Sequence, residues 1–111
     1  MSIIQNKPVI INNVDDKFET IFFLPKNVNL ERFGEGGLRK KNLFKISEIK
    51  KPLISIITTN LNDDIESTIL SVIDQKYENI EFIIKDAGSD DKTLKILEHY
   101  NDNIDYWVSE K

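Results

Sequence analysis

Residues 52–89 read PLISIITTNLNDDIESTILSVIDQKYENIEFIIKDAGS, and this stretch decides the fold. A β-prone run at its start is followed by a polar loop, a segment with helical spacing of apolar residues, and a second apolar run, residues 80–84. Two such runs joined by an amphipathic helix form a strand–helix–strand unit. Its two strands are parallel, and the crossover is right-handed in nearly all cases. The stretch therefore predicts an α/β fold.

The carboxyl ends of parallel strands meet at one edge of the sheet. The loops at residues 58–62 and 86–89 should therefore lie side by side, in the crevice where open α/β sheets bind ligands. Asp86 stands at the end of the second strand, where packing does not require an acid, although it could cap the next helix. We therefore expect Asn62 and Asp86 to open onto one shared pocket.

The composition excludes several classes of protein. A length of 111 residues suits one domain or part of a larger one. A net charge of −4 argues against nucleic acid as a partner. The absence of cysteine excludes disulfide scaffolds and thiolate metal sites, and fits a reducing cytoplasm. The apolar runs are far shorter than the roughly 20 residues that span a bilayer, and the N-terminus lacks a secretory signal pattern. We expect a soluble cytoplasmic protein.

The first half of the chain is less regular. Two β-prone runs, Val9–Ile11 and Thr20–Leu24, predict a hairpin or an added edge strand. Residues 25–51 contain three closely spaced glycines followed by six cations. This pattern allows a phosphate-binding loop or a flexible linker with a basic face, and the lack of a GK[ST] motif favours the linker. The cations could also attract an anionic membrane surface.

Helix signals follow each strand of the central unit. Asp63 can cap the first helix, with Glu66 three residues later. Ser89 or Asp91 can cap a second helix that runs to about Tyr100. The neighbouring acidic pairs are therefore interpreted as helix caps and turns rather than as a metal site.

A third strand is predicted at Ile104–Val108. Because side chains alternate across a strand, we expect one of Tyr106 and Trp107 to enter the core and the other to face outward. His99, the one histidine, has no serine or cysteine nucleophile to activate, so we assign it no catalytic role.

Three segments, SIITTNLND, SVIDQKYENIEFIIKDAGSDDKTLKIL and IDYWVSEK, occur in an order that resembles the opening of a family 2 glycosyltransferase. These bacterial enzymes use sugar nucleotides and have the GT-A fold. The resemblance covers residues 51–111. Upstream, FFLP and GEGGLRKKNLFK resemble a leader found before the catalytic domain of some members.

The resemblance implies a partial GT-A (Rossmann-like) parallel sheet with flanking helices, preceded by a short β-containing N-terminal extension. It divides the chain into an extension with a basic linker, residues 1–50, and the N-terminal half of a GT-A domain, residues 51–111, which ends before the family's D-x-D motif. The implied nucleotide-binding residues are Thr58, Thr59, Asn62, Asp86, Gly88, Ser89 and Asp91.

Two positions depart from the family pattern. Ala87 stands where many members have a second acid that reads the base, and Leu61 stands where many have an aromatic residue that stacks on it. The base therefore stays open, with a UDP-sugar as the expected donor. The D-x-D motif and catalytic base come later in the family, so the resemblance assigns no catalytic residue here. It implies a divalent cation, Mn or Mg, for the full-length family but none bound by this part.

The predicted function is the nucleotide-sugar-binding part of an inverting family 2 glycosyltransferase for bacterial polysaccharide or surface glycan synthesis, inactive by itself. Whether the chain is an enzyme is left open. The alternative is a non-catalytic interaction module that self-associates through an exposed sheet edge. We expect homo-oligomers, and a location in the cytoplasm or peripherally at the inner membrane.

Overall fold

A computed structural model describes residues 4–5, 21–26 and 29–111, with side chains from residue 21 onward. The strands of these ranges are β1 (Ile4–Gln5), β2 (Arg32–Gly36), β3 (Phe44–Lys45), β4 (Ile54–Asn60), β5 (Ile80–Asp86) and β6 (Tyr106–Glu110). The helices are α1 (Ile65–Ile73) and α2 (Asp91–His99), with 3-10 turns at Leu38–Lys41 and Asn101–Asn103. None of these helices is long and apolar enough to cross a membrane.

The main sheet has the strand order β2-β6-β5-β4. Strands β4, β5 and β6 are parallel, and β2 runs antiparallel to β6. β4 and β5 pair without a register shift, from Ile54 opposite Ile80 to Asn60 opposite Asp86. The predicted α/β class with a mainly parallel sheet and flanking helices is confirmed.

The short strands β1 and β3 form a separate antiparallel pair. The predicted strand at Val9–Ile11 lies outside the described residues, as does Thr20. Residues 21–24 form no strand.

Each helix starts one residue away from the predicted cap. Asp64, not Asp63, caps α1, because its carboxylate accepts the Ser67 N–H at 3.2 Å. Asp90 caps α2 by accepting the Thr93 N–H at 3.1 Å. Both starts contain adjacent acids, Asp63-Asp64 and Asp90-Asp91.

The core lies between the sheet and the two helices. It is a cluster of buried apolar side chains from α1, β5, α2 and the segment that leads into and forms β6, and the partly buried Ile56 of β4 packs against it. Its members are Ile65, Ile69, Phe82, Ile84, Leu97, Ile104 and Trp107. Burying one such side chain stabilises the fold by about 1.5–3 kcal/mol, so this cluster fixes the helices on one face.

The segment expected to be a flexible linker is instead part of the packed structure. β2 occupies a sheet edge. The chain after it is bonded to the two residues before β6, because the Leu38 N–H donates to the Ile104 carbonyl and the Arg39 N–H donates to the Asp105 carbonyl, both at 2.9 Å. The Arg39 guanidinium is buried and forms an ion pair with Glu81 at 2.9 Å. Over residues 29–45 the flexible-linker prediction is therefore wrong, while the domain boundary at residue 50 stays a prediction.

Contacts with Phe23, Leu24 and Glu35 also explain why both aromatic residues of β6 are buried. Trp107 packs in the helix-facing core, and Tyr106 faces the opposite side of the sheet. There the Phe23 ring packs edge-on against the Tyr106 ring, with 5.7 Å between the ring centroids. The Tyr106 hydroxyl oxygen accepts the Leu24 N–H at 3.0 Å, and the hydroxyl donates to the Glu35 carboxylate. Burial, and next the hydrogen bond to Glu35, raise the pKa of Tyr106 to about 12. The prediction that one aromatic residue faces outward is wrong.

We predict that Gly36→Ala destabilises the fold. A Cβ at this position would lie 2.5 Å from both the Asn101 Oδ1 and the Trp107 Nε1 atoms. Forcing a methyl group into packed surroundings costs about 1–3 kcal/mol, which urea denaturation would measure as a lower free energy of unfolding.

Gly34→Ala provides the matched comparison, because its Cβ would meet Trp107 at the looser distance of 3.0 Å. We expect a smaller loss there. Equal stability of wild type and Gly36→Ala would show that β2 does not pack against Trp107 as described.

Candidate functional site

Asp86 is the last residue of β5, which lies between β4 and β6. Its carboxylate is therefore at the centre of the sheet edge where the three parallel strands end, the carboxyl edge. Its side chain is fully buried. Oδ1 accepts from the Asn60 Nδ2 at 2.9 Å and from the Ser89 hydroxyl at 2.6 Å. Oδ2 accepts from the Ser89 N–H at 2.9 Å and from the Ser109 hydroxyl at 2.7 Å. A carboxylate offers about four acceptor sites, so these protein donors fill its capacity.

The hydrogen bonds keep the buried carboxyl group ionised. Burial by itself would raise the pKa of Asp86, but the hydrogen bonds from Ser89, Asn60 and Ser109 outweigh it and hold the pKa below its ordinary value. Hydrogen bonds to an ionised acceptor are stronger than those between neutral groups. Asp86 therefore fastens β4, β5, β6 and the loop after β5 to one another.

The two loops predicted to form the site are joined directly. The Asn62 N–H donates to the Ser89 hydroxyl oxygen at 2.8 Å, and the Asn62 Oδ1 accepts the Asp90 N–H at 3.3 Å. Asn62 has a φ of 53°, a left-handed conformation that asparagine tolerates better than most residues. The Ala87 N–H donates to the Asn60 carbonyl at 2.8 Å.

The predicted residues lie at the same edge of the sheet but differ in exposure. Thr59, Asn62 and Asp91 are exposed, Thr58 and Gly88 are half-buried, and Asp86 and Ser89 are buried. The structure thus brings Asn62 and Asp86 to one edge as predicted. The Asp86 oxygens, however, are directed at protein donors, so its predicted contact with a nucleotide stays a prediction.

Gly88 has a φ of 77°, a conformation that favours glycine. An added Cβ would also approach the Phe33 ring at 3.2 Å and the Lys111 backbone at 3.3 Å. The loop after β5 therefore passes close to the residue that follows β6.

On the sheet face away from the helices, the same edge carries an ion-pair network. The Glu110 carboxylate contacts the Arg32 guanidinium at 2.8 Å and the Lys85 ammonium at 3.2 Å. The hydrogen bond from Arg32 is the main cause that lowers the pKa of Glu110. Strand β2 therefore supports β6 next to the candidate site through the Arg32–Glu110 ion pair.

Comparison with known proteins identifies the family. Residues 54–111, slightly more than half of the chain, match the sequence model of Glycosyl transferase family 2. The matched range begins with β4 and contains both helices and the three parallel strands. The chain belongs to glycosyltransferase family 2. The resemblance of its motifs to the opening of this family is thereby confirmed.

Curated relatives match the same half. A Bacillus subtilis (strain 168) protein whose name describes a teichuronic acid biosynthesis glycosyltransferase, TuaG, is 48% identical over 52 residues, covering 45% of this chain and 21% of that protein. An uncharacterized glycosyltransferase of Haemophilus influenzae is 43% identical over 53 residues, covering 46% of this chain and 21% of that protein. The family 2 chain thus spans about a fifth of the length of these relatives. No solved structure matches it.

Three of the acids near this edge already accept hydrogen bonds from the protein. Asp64 and Asp90 each accept a helix N-terminal N–H, and Asp86 is saturated by protein donors. Within the residues that the structure describes, no group of three or more histidine, aspartate or glutamate side chains could hold a metal ion.

Sequence reasoning missed two members of the site. Asn60 and Ser109 are buried partners of Asp86, and each lies opposite it in the register of its neighbouring strand. For Asn60, the signal available was a polar residue at the end of an apolar strand. Ser109 could be found only by knowing that β6 pairs with β5.

We predict that Asp86→Asn destabilises the family 2 chain at neutral pH. An amide presents one oxygen and one NH₂ group to donors that all require acceptors, and each buried donor left unpaired costs roughly 1–3 kcal/mol. Because the folded pKa of Asp86 is lowered, its stabilisation is complete above the unfolded pKa of roughly 3.9. The stabilisation is lost as the pH falls through the folded pKa.

The measurement is the free energy of unfolding of both proteins from neutral to acidic pH. The difference between them should shrink on acidification. Asp63→Asn, at an exposed position of the neighbouring loop, should stay within about 0.5 kcal/mol of wild type. If the difference in unfolding free energy between wild type and Asp86→Asn did not change with pH, the role of the ionised carboxylate would be refuted.

Proposed function

We propose that the chain is the nucleotide-sugar-binding part of an inverting family 2 glycosyltransferase. Under this proposal, the loops after β4 and β5 receive the nucleotide of a UDP-sugar or a similar donor. The parallel register that sets Asn60 opposite Asp86 supports it most directly, because it brings both loops to one sheet edge. Open α/β sheets bind ligands at this edge.

The exposed groups at the edge suit a nucleoside. Thr59 offers a hydroxyl and Asn62 an amide that can pair with ribose hydroxyls or base edges, and Leu61, with 57% of its surface exposed, offers aliphatic packing. The buried Asp86 holds these loops in place and does not itself need to touch the ligand. In this proposal Thr58, Gly88, Ser89 and Asp91 shape the pocket around the exposed groups.

Sugar transfer needs more than these residues supply. The leaving nucleotide develops negative charge, which positive charge or a metal ion must stabilise. The edge acids already serve the fold, so a divalent cation, Mn or Mg, would be held by residues beyond the described ones. We therefore propose that this part binds a donor but does not transfer sugar by itself.

The name of one relative indicates a pathway class. The TuaG name refers to teichuronic acid biosynthesis, and we propose the broader class, bacterial polysaccharide or surface glycan synthesis, for this chain. The proposal places it in the cytoplasm or peripherally at the inner membrane.

Calorimetry tests the binding proposal. We expect UDP or UDP-sugars to bind the purified chain and Asn62→Asp to weaken that binding. The variant keeps an oxygen for the Asp90 N–H but replaces the amide NH₂ donor with an oxygen and adds a negative charge to the edge that would receive an anionic nucleotide. Losing one hydrogen bond costs about 0.5–1.5 kcal/mol, so the affinity should fall roughly two- to tenfold.

Asn42→Asp is the matched control. Asn42 is exposed and also left-handed, with a φ of 61°, but it follows the 3-10 turn at Leu38–Lys41 instead of a strand of the site. Its variant should bind as wild type does. A folded chain that binds no nucleotide at about 1 mM, with or without Mn²⁺, would contradict the proposal, as would equal losses in both variants.

A further inference from the structure

Strand β2 precedes the range that matches the family, residues 54–111, yet its first residue lies at the carboxyl edge of the sheet. Because β2 runs antiparallel to β6, Arg32 lies opposite Glu110. One residue earlier, the Glu31 carbonyl accepts the Lys111 N–H at 2.9 Å. The start of β2 is therefore bonded to the end of β6, beside the loop after β5.

Phe33 is an extra residue in this pairing. Arg32 lies opposite Glu110 and Gly34 lies opposite Ser109, so β2 takes two steps where β6 takes one. An extra residue of this kind bends its strand and redirects a side chain, and such irregularities are frequent next to functional sites. In β2 the side chain of the extra residue is an aromatic ring.

The Phe33 ring contacts the loop after β5. A Cβ built on Gly88 would lie 3.2 Å from the Cε2 atom of this ring and 3.3 Å from the Lys111 backbone. The ring therefore covers the side of Gly88 that a side chain would occupy. Glycine restricts the backbone less than any other residue, so the course of the loop at Gly88 depends on what packs against it.

Gly88 is followed directly by the groups that hold Asn62. The Ser89 hydroxyl oxygen accepts the Asn62 N–H at 2.8 Å, and the Asp90 N–H donates to the Asn62 Oδ1 at 3.3 Å. A displacement of the loop at Gly88 would move both partners of Asn62, an exposed residue of the candidate site. The contact between Phe33 and Gly88 thus bears on the conformation of both loops at the edge.

We propose that Phe33 is a positioning residue for nucleotide binding, which holds the loop after β5, and through it Asn62, in the conformation that receives the donor. This role rests on the function proposed above. A loop that is already held in its bound conformation loses less conformational freedom on binding, so the ring contributes to affinity without touching the ligand. The contact with Gly88 lies within the chain, and it forms whatever covers the outer side of the ring.

Calorimetry with UDP on the full chain tests this role. We expect Phe33→Ala to bind several-fold more weakly than wild type. Phe33→Leu keeps an apolar side chain against Gly88 and should recover most of the affinity.

Phe23→Ala is the matched control. Phe23 also precedes the family range and is exposed to a similar extent, 38% against 41% for Phe33. It packs on the Tyr106 ring on the sheet face away from the helices, so its variant should lose stability but bind UDP as wild type does. Equal losses of affinity in Phe33→Ala and Phe23→Ala would overturn the role of Phe33.

Amide hydrogen exchange, followed by NMR without nucleotide, tests the hold on the loop separately from binding. Phe33→Ala should speed the exchange of the Asn62 and Asp90 N–H groups several-fold. Phe23→Ala should leave both rates close to those of wild type, because loop amides exchange through local opening. Unchanged exchange of both groups in Phe33→Ala would overturn the role of Phe33. Faster exchange in that variant, in a chain whose wild type binds no UDP, would support the hold on the loop and contradict the proposed function alone.

Discussion

The structure of the carboxyl edge depends on the hydrogen bonds that satisfy the buried Asp86 carboxylate. A buried charge without partners is very costly, and the donors come from β4, from the loop after β5 and from β6. At the amino end of β6, Asp105 is buried with fewer donors, the Phe82 N–H at 2.7 Å and Lys45 at 3.0 Å. There burial prevails and raises the pKa. For Asp86 the hydrogen bonds outweigh burial and lower the pKa, whereas for Asp105 burial outweighs the hydrogen bonds and the Lys45 charge.

The sequence predicted the strand–helix–strand unit because its signals are local. Apolar periodicity and capping acids mark β4, α1, β5 and α2 within one stretch. The cap at each helix was misplaced by one residue, since adjacent acids cap equally well locally. β2 could not be predicted in this way. Its sequence, RFGEG, has little β propensity, and its glycines are explained by the Trp107 ring that they contact across the sheet.

The sequence predicted that Asn62 and Asp86 lie at one edge of the sheet, as the structure has them, but it did not predict the contacts of Asp86. The position of Asp86 at the end of β5 indicated the edge correctly, because parallel strands fix which ends meet. Its burial depends on Ser109, 23 residues further on, and no local pattern links the two. An acid at a strand end is thus compatible with binding a ligand and with holding strands together. The number of protein hydrogen-bond donors that meet the carboxylate oxygens distinguishes these two roles.

The two edges of the main sheet are protected differently, and this difference bears on the site. β2 carries Arg32 and Glu35, which pair with each other at 3.4 Å, and its register with β6 is irregular between Arg32 and Gly34. Charges and irregularities of this kind hinder strand addition, whereas β4 has neither in its sequence. The sheet can therefore extend past β4 more readily than past β2. Because β4 leads directly into the loop of Asn62, any strand added there would restrict the same loop that a nucleotide would contact.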